Sequence, residues 1–121
     1  MRAIWMTIPA LLFLAAPASA QVDDDACADA TTTADIVECL TGVHAEWDAR
    51  LNTAYRAAIE PLEGDRRTQF RDVQRTWIAY RDASCGYYRS GEGTIAAIEG
   101  NSCMVDLTRM RAEELEGLAE R

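Results

Sequence analysis

The sequence predicts an all-α fold: a small three-helix up-down-up bundle, with a long glycine-bearing loop between the second and third helices, stapled by two disulfides. Three observations carry this. Apolar residues recur at spacings of three and four along most of the chain, and no alternating stretch marks a strand. Helix-breaking residues gather between the periodic segments, at Pro61 with Gly64 and again at Gly86, Gly91, Gly93 and Gly100. The chain has four cysteines, an even count in a short sequence that opens like an exported protein.

Residues 1–20 read as a signal peptide. Arg2 gives a positive start, residues 8–16 are apolar apart from Pro9, and Ala18-Ser19-Ala20 offers small residues for cleavage before Gln21. The apolar run falls short of the roughly 20 residues a membrane-spanning helix needs, so no stable membrane anchor is expected after cleavage. Cys27 lies too far from Ala20 to carry a lipid at a new N-terminus. The expected location is periplasmic or secreted. Residues 21–33 form a flexible acidic lead-in containing Asp23-Asp24-Asp25, and residues 34–121 form a single helical domain.

The first helix begins at a cap supplied by Thr32 or Thr33, with Asp35 in its first turn. Its stripe is Ile36, Leu40, Val43, Trp47, Leu51, Ala54, Ala58 and Leu62, and Pro61 with Gly64 ends it. Gly42 marks a bend or a close contact. The second helix is expected from near Asp65 to about Ser84, striped by Phe70, Val73, Trp77, Tyr80 or Arg81, and Ser84. The short link makes the first two helices antiparallel neighbours. Residues 86–101 are read as the loop, with at most a short helical turn over 94–98. The third helix starts after Asn101 or Ser102, striped by Met104, Leu107, Met110 or Arg111, Leu115 and Leu118.

In this topology Cys39, Cys85 and Cys103 fall at one end of the bundle, and Cys27 can fold back to it. Of the three possible pairings, Cys27–Cys39 with Cys85–Cys103 is preferred because each closes a local segment that has little else to hold it. A loop of roughly 15 residues closed in this way contributes about 3 kcal/mol. Zinc is the competing use of the cysteines, but there is no C-x-x-C spacing and His44 is the only histidine.

Several function classes fall away. There is no G-x-S-x-G elbow, no H-E-x-x-H and no phosphate-cradling loop, so no catalytic, metal or cofactor site is expected. The formal net charge is −8 and lysine is absent; without residues 1–20, which contain Arg2 and no acid, it is −9. Such a surface does not fit nucleic acid, and it favours encounter with a basic protein. Glu113, Glu114 and Glu116 read as a solvated face, and His44 as a helix-boundary residue. The motif Trp77, Tyr80, Arg81 and Asp82, with Thr108 and Arg111 on the third helix, reads mainly as structural. Arg81 can lie over Trp77 four residues earlier or reach Asp48. The partner-binding candidates are Tyr87, Tyr88, Arg89 and Glu92, because tyrosine and arginine anchor many interfaces and a disulfide at the base of their loop would pre-organise it.

Taken together, these segments resemble a known family. They are Cys27 through Cys39; Asp48-Ala49-Arg50-Leu51-Asn52-Thr53-Ala54-Tyr55; Gln74-Arg75-x-Trp77-x-x-Tyr80-Arg81-Asp82-x-x-Cys85; a glycine-bearing loop; and Cys103 with Leu107-Thr108-x-x-Arg111-x-x-x-Leu115. The resemblance is to the LprI-type lysozyme inhibitor N-terminal domain family and runs from Cys27 to about Leu118. It implies an exported, disulfide-bonded, non-enzymatic helical domain with a protein partner, and it suggests lysozyme as that partner. The chain departs from the family's lipoprotein member in having no lipobox. An envelope adaptor or stress-related binding module with another periplasmic partner is the alternative.

Overall fold

The computed structural model describes residues 26–121. Three long helices account for nearly all of them: α1 (Thr33–Ile59), α2 (Gly64–Arg89) and α3 (Ile95–Ala119). Thr32 caps α1, its hydroxyl accepting a hydrogen bond from the Asp35 amide at 3.1 Å. That satisfies one of the N–H groups a helix start leaves unpaired. The far end of α1 is closed from outside. Arg67, in the first turn of α2, donates through Nη1 to the carbonyls of Ile59 (2.9 Å) and Leu62 (3.3 Å). Gly64 takes φ 55°, a left-handed value that costs a side-chain-bearing residue 1 kcal/mol or more by order of magnitude, and lets the chain turn sharply into α2.

The α1 face is the one the spacing predicts, with Val43, Trp47, Leu51, Ala54 and Ala58 buried. Gly42 makes no close contact; it is exposed, with open space where a Cβ would stand. The core continues through Val105, Ala112 and Leu115 of α3, with Cys27, Cys39, Leu40, Tyr55, Phe70, Trp77 and Leu118 packed around it. Helix α3 lies along both other helices and joins them. Direct contact between α1 and α2 is sparse and made by long side chains, such as the stacked rings of Tyr55 and Phe70 at 5.6 Å. The short 60–63 link therefore leaves the two helices meeting at side-chain tips, and the tight packing belongs to α3. Across α2 and α3, Gln74 meets Arg111 and Cys85 meets Cys103, so the pairs run in opposite directions along the two helices.

Both disulfides have the preferred pairing, Cys27–Cys39 and Cys85–Cys103. Through Cys27 the end of the lead-in is tied to α1 and packs against the core. The expected signal peptide, and residues 21–25 of the lead-in, lie outside the described residues.

Two expectations are corrected. The long loop between the second and third helices does not exist. Helix α2 runs through Gly86 to Arg89, α3 starts at Ile95, and only residues 90–94 connect them. Glycine inside a helix costs about 1 kcal/mol relative to alanine. Here the Cys85–Cys103 cross-link and the packing of the α2 end on α3 outweigh that cost, and of the glycines read as the loop only Gly93, at φ 75°, takes a left-handed conformation.

The buried face of α2 is also shifted from the predicted stripe. Val73 and Tyr80 are 54% and 59% exposed, while Phe70, Gln74, Trp77, Arg81 and Cys85 face inward. Hydropathy cannot place this face, because two of its five positions are polar. On α3 likewise, Val105 and Thr108 are buried and Met110 is exposed.

Candidate functional site

The sequence motif on α2 divides by direction. Trp77 and Arg81 turn inward, and Tyr80 and Asp82 outward. The Arg81 guanidinium sits 5.1 Å from the Trp77 ring centre, within cation–π reach. It donates to Asp82 Oδ1 from Nε (3.0 Å) and to the Thr108 hydroxyl from Nη1 (3.4 Å), and it lies 3.9 Å from Asp48 Oδ1 on α1. One side chain thus ties all three helices. Arg111 enters from α3 and is 6% exposed, and its guanidinium is 6.0 Å from the same indole. It donates from Nε to Gln74 Oε1 and from Nη1 to Glu114 Oε2, both at 2.9 Å, while its buried Nη2 has no protein acceptor.

This layer holds charge inside a small bundle by surrounding it with carboxylates, an amide oxygen and an aromatic face. It contains no nucleophile paired with a base. Thr108, fully buried, is a hydrogen-bond acceptor for Arg81. A second link, Arg50 to Glu116, is bidentate at 3.0 and 2.9 Å, with Arg50 over Trp47 at 4.3 Å.

His44 adjoins the layer. Burial pushes its pKa below the ordinary 6.5; Asp48 acts in the opposite sense and Arg81 in the same sense. Its Nε2 is buried without a partner. Among the described residues there is no cluster of three or more histidine, cysteine or acidic side chains able to hold a metal ion.

The partner-binding candidates lie elsewhere than expected. Tyr87, Tyr88 and Arg89 occupy the last turn of α2, and Glu92 sits in the connecting turn. Tyr87 is 75% exposed and its ring meets that of Tyr88 edge to face at 5.5 Å. A helical turn beside a buried disulfide holds these rings more firmly than a glycine-rich loop would. Arg89 does not project freely. Its Cβ lies 2.9 Å from where a Gly100 Cβ would stand, and its Nε 3.3 Å, so its stem covers the α2–α3 crossing.

Two residues that the sequence reading did not single out, Glu99 and Asp106, also border this surface. Tyr80, Tyr88, Glu99, Asp106 and Leu107 line one groove between α2 and α3. The available signal was the seven-residue spacing of Val73, Tyr80 and Tyr87, apolar residues at the same register on one helix. Val73 and Tyr80 stand in the predicted core stripe, and Tyr87 among the partner-binding candidates, so the sequence reading does not join them.

These features define a class: an acidic, lysine-free, three-helix domain, stapled by disulfides, with three tyrosines exposed along one helix. The chain belongs to the LprI family. The family model described as "Lysozyme inhibitor LprI" matches residues 24–115. The chain is also similar to an uncharacterized protein, R02472, of Rhizobium meliloti (strain 1021), at 31% identity over 136 aligned positions covering 99% of this chain and 97% of that one. No solved structure matches significantly. The family description is that of an inhibitor, a protein that acts on another protein. Among the described residues, no helix is long and apolar enough to cross a membrane.

Proposed function

We propose that the protein is an exported, non-enzymatic inhibitor that binds a basic lysozyme, and that it is periplasmic or secreted after loss of residues 1–20. The observation that carries this reading is the family match across residues 24–115. Charge supports it. A chain of net charge −8 is drawn electrostatically onto a strongly basic enzyme, which raises the association rate and favours correct orientation. Lysozymes cleave glycan between two carboxylates in a cleft, and occlusion of that cleft stops turnover without any chemistry by the inhibitor.

The exposed Tyr87 and Tyr88, with Arg89 and Glu92 at the same end, form the contact region in this reading. The tyrosines supply rigid amphipathic area at low entropic cost. The structural motif of Trp77, Arg81, Thr108 and Arg111 serves as the frame behind them.

The test is hydrolysis of a cell-wall suspension by several lysozyme types, with and without the purified protein. Inhibition that saturates at stoichiometric protein is expected for at least one basic lysozyme. Undiminished turnover at micromolar excess against all of them overturns the proposal. A single stoichiometric partner recovered from periplasm, with no effect on any lysozyme, replaces it with the adaptor reading.

A further inference from the structure

The outer groove between α2 and α3 has a shape and charge that select a ligand class. Tyr80 and Tyr88 lie eight residues apart, two turns along α2, and stand as two walls 59% and 45% exposed. Ile98 and Leu107 of α3 give an apolar lining, and the groove measures about 440 Å³. Glu99 and Asp106, seven residues apart on α3, place two carboxylates on its edge. Asp106 faces one cation, Arg109 at 3.4 Å, in a pair whose carboxylate is 61% exposed. Exposed pairs of this kind contribute little and exchange readily. Glu99 is exposed on the same helix. Cys103 lines the same groove, and its disulfide to Cys85 holds α2 and α3 together there before anything binds.

We propose that this groove docks an arginine or lysine side chain presented by a basic protein. The aliphatic stem lies on Leu107 and Ile98, as long cationic side chains do on apolar surfaces. The charged head reaches Glu99 and Asp106, and a tyrosine face gives it a cation–π contact. Because the groove is fixed by a disulfide, docking orders little of the protein. Charge disfavours a second copy of this chain, whose net charge of −8 would be brought against a rim that already holds two carboxylates. The inference rests on the reading of the protein as a binder of a basic partner, and it names the surface and the group recognised.

The test uses ¹⁵N-labelled protein expressed from the full-length sequence, with both disulfides closed. The probes are the blocked tripeptides acetyl-Leu-Arg-Leu-amide and acetyl-Leu-Gln-Leu-amide. Amide shifts centred on Tyr80, Tyr88, Ile98 and Leu107 are expected. Arginine should be preferred over glutamine by at least about tenfold, the order of one charge-assisted contact with a cation–π contribution. The double variant Glu99→Gln/Asp106→Asn should abolish that preference. The double variant Glu38→Gln/Glu46→Gln removes the same charge from exposed positions of α1 and should keep it. Shifts scattered over the acidic surface, an equal loss in both double variants, or a dimer that occupies the groove overturns the proposal.

The same variants against a basic lysozyme separate the two readings. If no lysozyme binds while the tripeptide does, the proposed function fails and the groove stands. If lysozyme is inhibited equally by both double variants, the groove is not its docking site and the proposed function stands.

Discussion

At Gly100 the backbone of α3 passes close to that of α2, and replacing it with alanine sets two effects of known size against each other. Alanine is favoured over glycine inside a helix by about 1 kcal/mol. At Gly100 the new methyl would lie 2.9 Å from Arg89 Cβ and 3.2 Å from Arg89 Cα. Neither atom can be moved by rotating a side chain, so the helices themselves must separate. The Cys85–Cys103 bond, three residues away along α3, resists that movement. Overpacking of this kind costs about 1–3 kcal/mol. The net expectation for Gly100→Ala is a loss of about 0–2 kcal/mol, each kcal/mol lowering the melting temperature by roughly 4–8 °C for a domain of this size.

Gly42→Ala is the matched control. It has the same helical gain, and no atom stands within 4 Å of the new methyl, so it should stabilise by about 0.5–1 kcal/mol. Urea unfolding followed by far-ultraviolet circular dichroism, with the disulfides intact, measures both. If Gly100→Ala raises the unfolding midpoint as Gly42→Ala does, the close approach of α2 and α3 is wrong.

Three other outcomes are expected. His44, held below 6.5 chiefly by burial, binds fewer protons folded than unfolded, so its contribution weakens as pH falls through 6.5 and levels off below the lowered folded value. The urea midpoint should therefore drop from pH 7.5 to 5.5, and by less in His44→Gln; parallel pH profiles would refute this. Gln74→Ala removes an acceptor from the buried Arg111 and should cost about 1.5–3 kcal/mol, whereas Arg50→Ala, whose pair with Glu116 is 37% and 36% exposed, should cost less than about 1 kcal/mol in the same denaturant series. Opening the Cys85–Cys103 link with Cys85→Ala/Cys103→Ala releases a loop spanning 18 residues and should cost about 3 kcal/mol by calorimetry, and a fall of less than 1 kcal/mol would refute the cross-link as a principal staple.

Much of the architecture was legible because it depends on local signals. The cap at Thr32, the apolar stripe of α1 and the stop at Pro61 and Gly64 are all encoded within a few residues of where they act. The cysteine pairing follows from local loops. The junction of α2 and α3 was not legible because its decisive features are tertiary. Gly86 and Gly100 look alike in a sequence, yet one is an ordinary helical position and the other a crossing point.

The inner face of α2 was legible only in part, for a related reason: Phe70, Trp77 and Arg81, with its reach to Trp77 and Asp48, were expected, and Gln74 and Cys85 were not. Gln74 and Arg81 are buried because Arg111, Thr108 and Asp48 meet them, and those partners come from other helices. The candidate tyrosines were found by composition, but their seat on a helical turn, and the groove beside them, needed the packing of α3.

The central place of α3 has a kinetic consequence. Because α1 and α2 barely touch each other, neither finds a stable partner until Ile95–Ala119 has been made. The segment that closes the core is synthesised after both of the others, so a nascent chain stays open until that segment emerges. Local cross-linking of Cys27 to Cys39 needs no such wait. A product truncated before residue 95 should therefore carry one closed disulfide and no fold, and a protease should clear it as it would any unfolded chain.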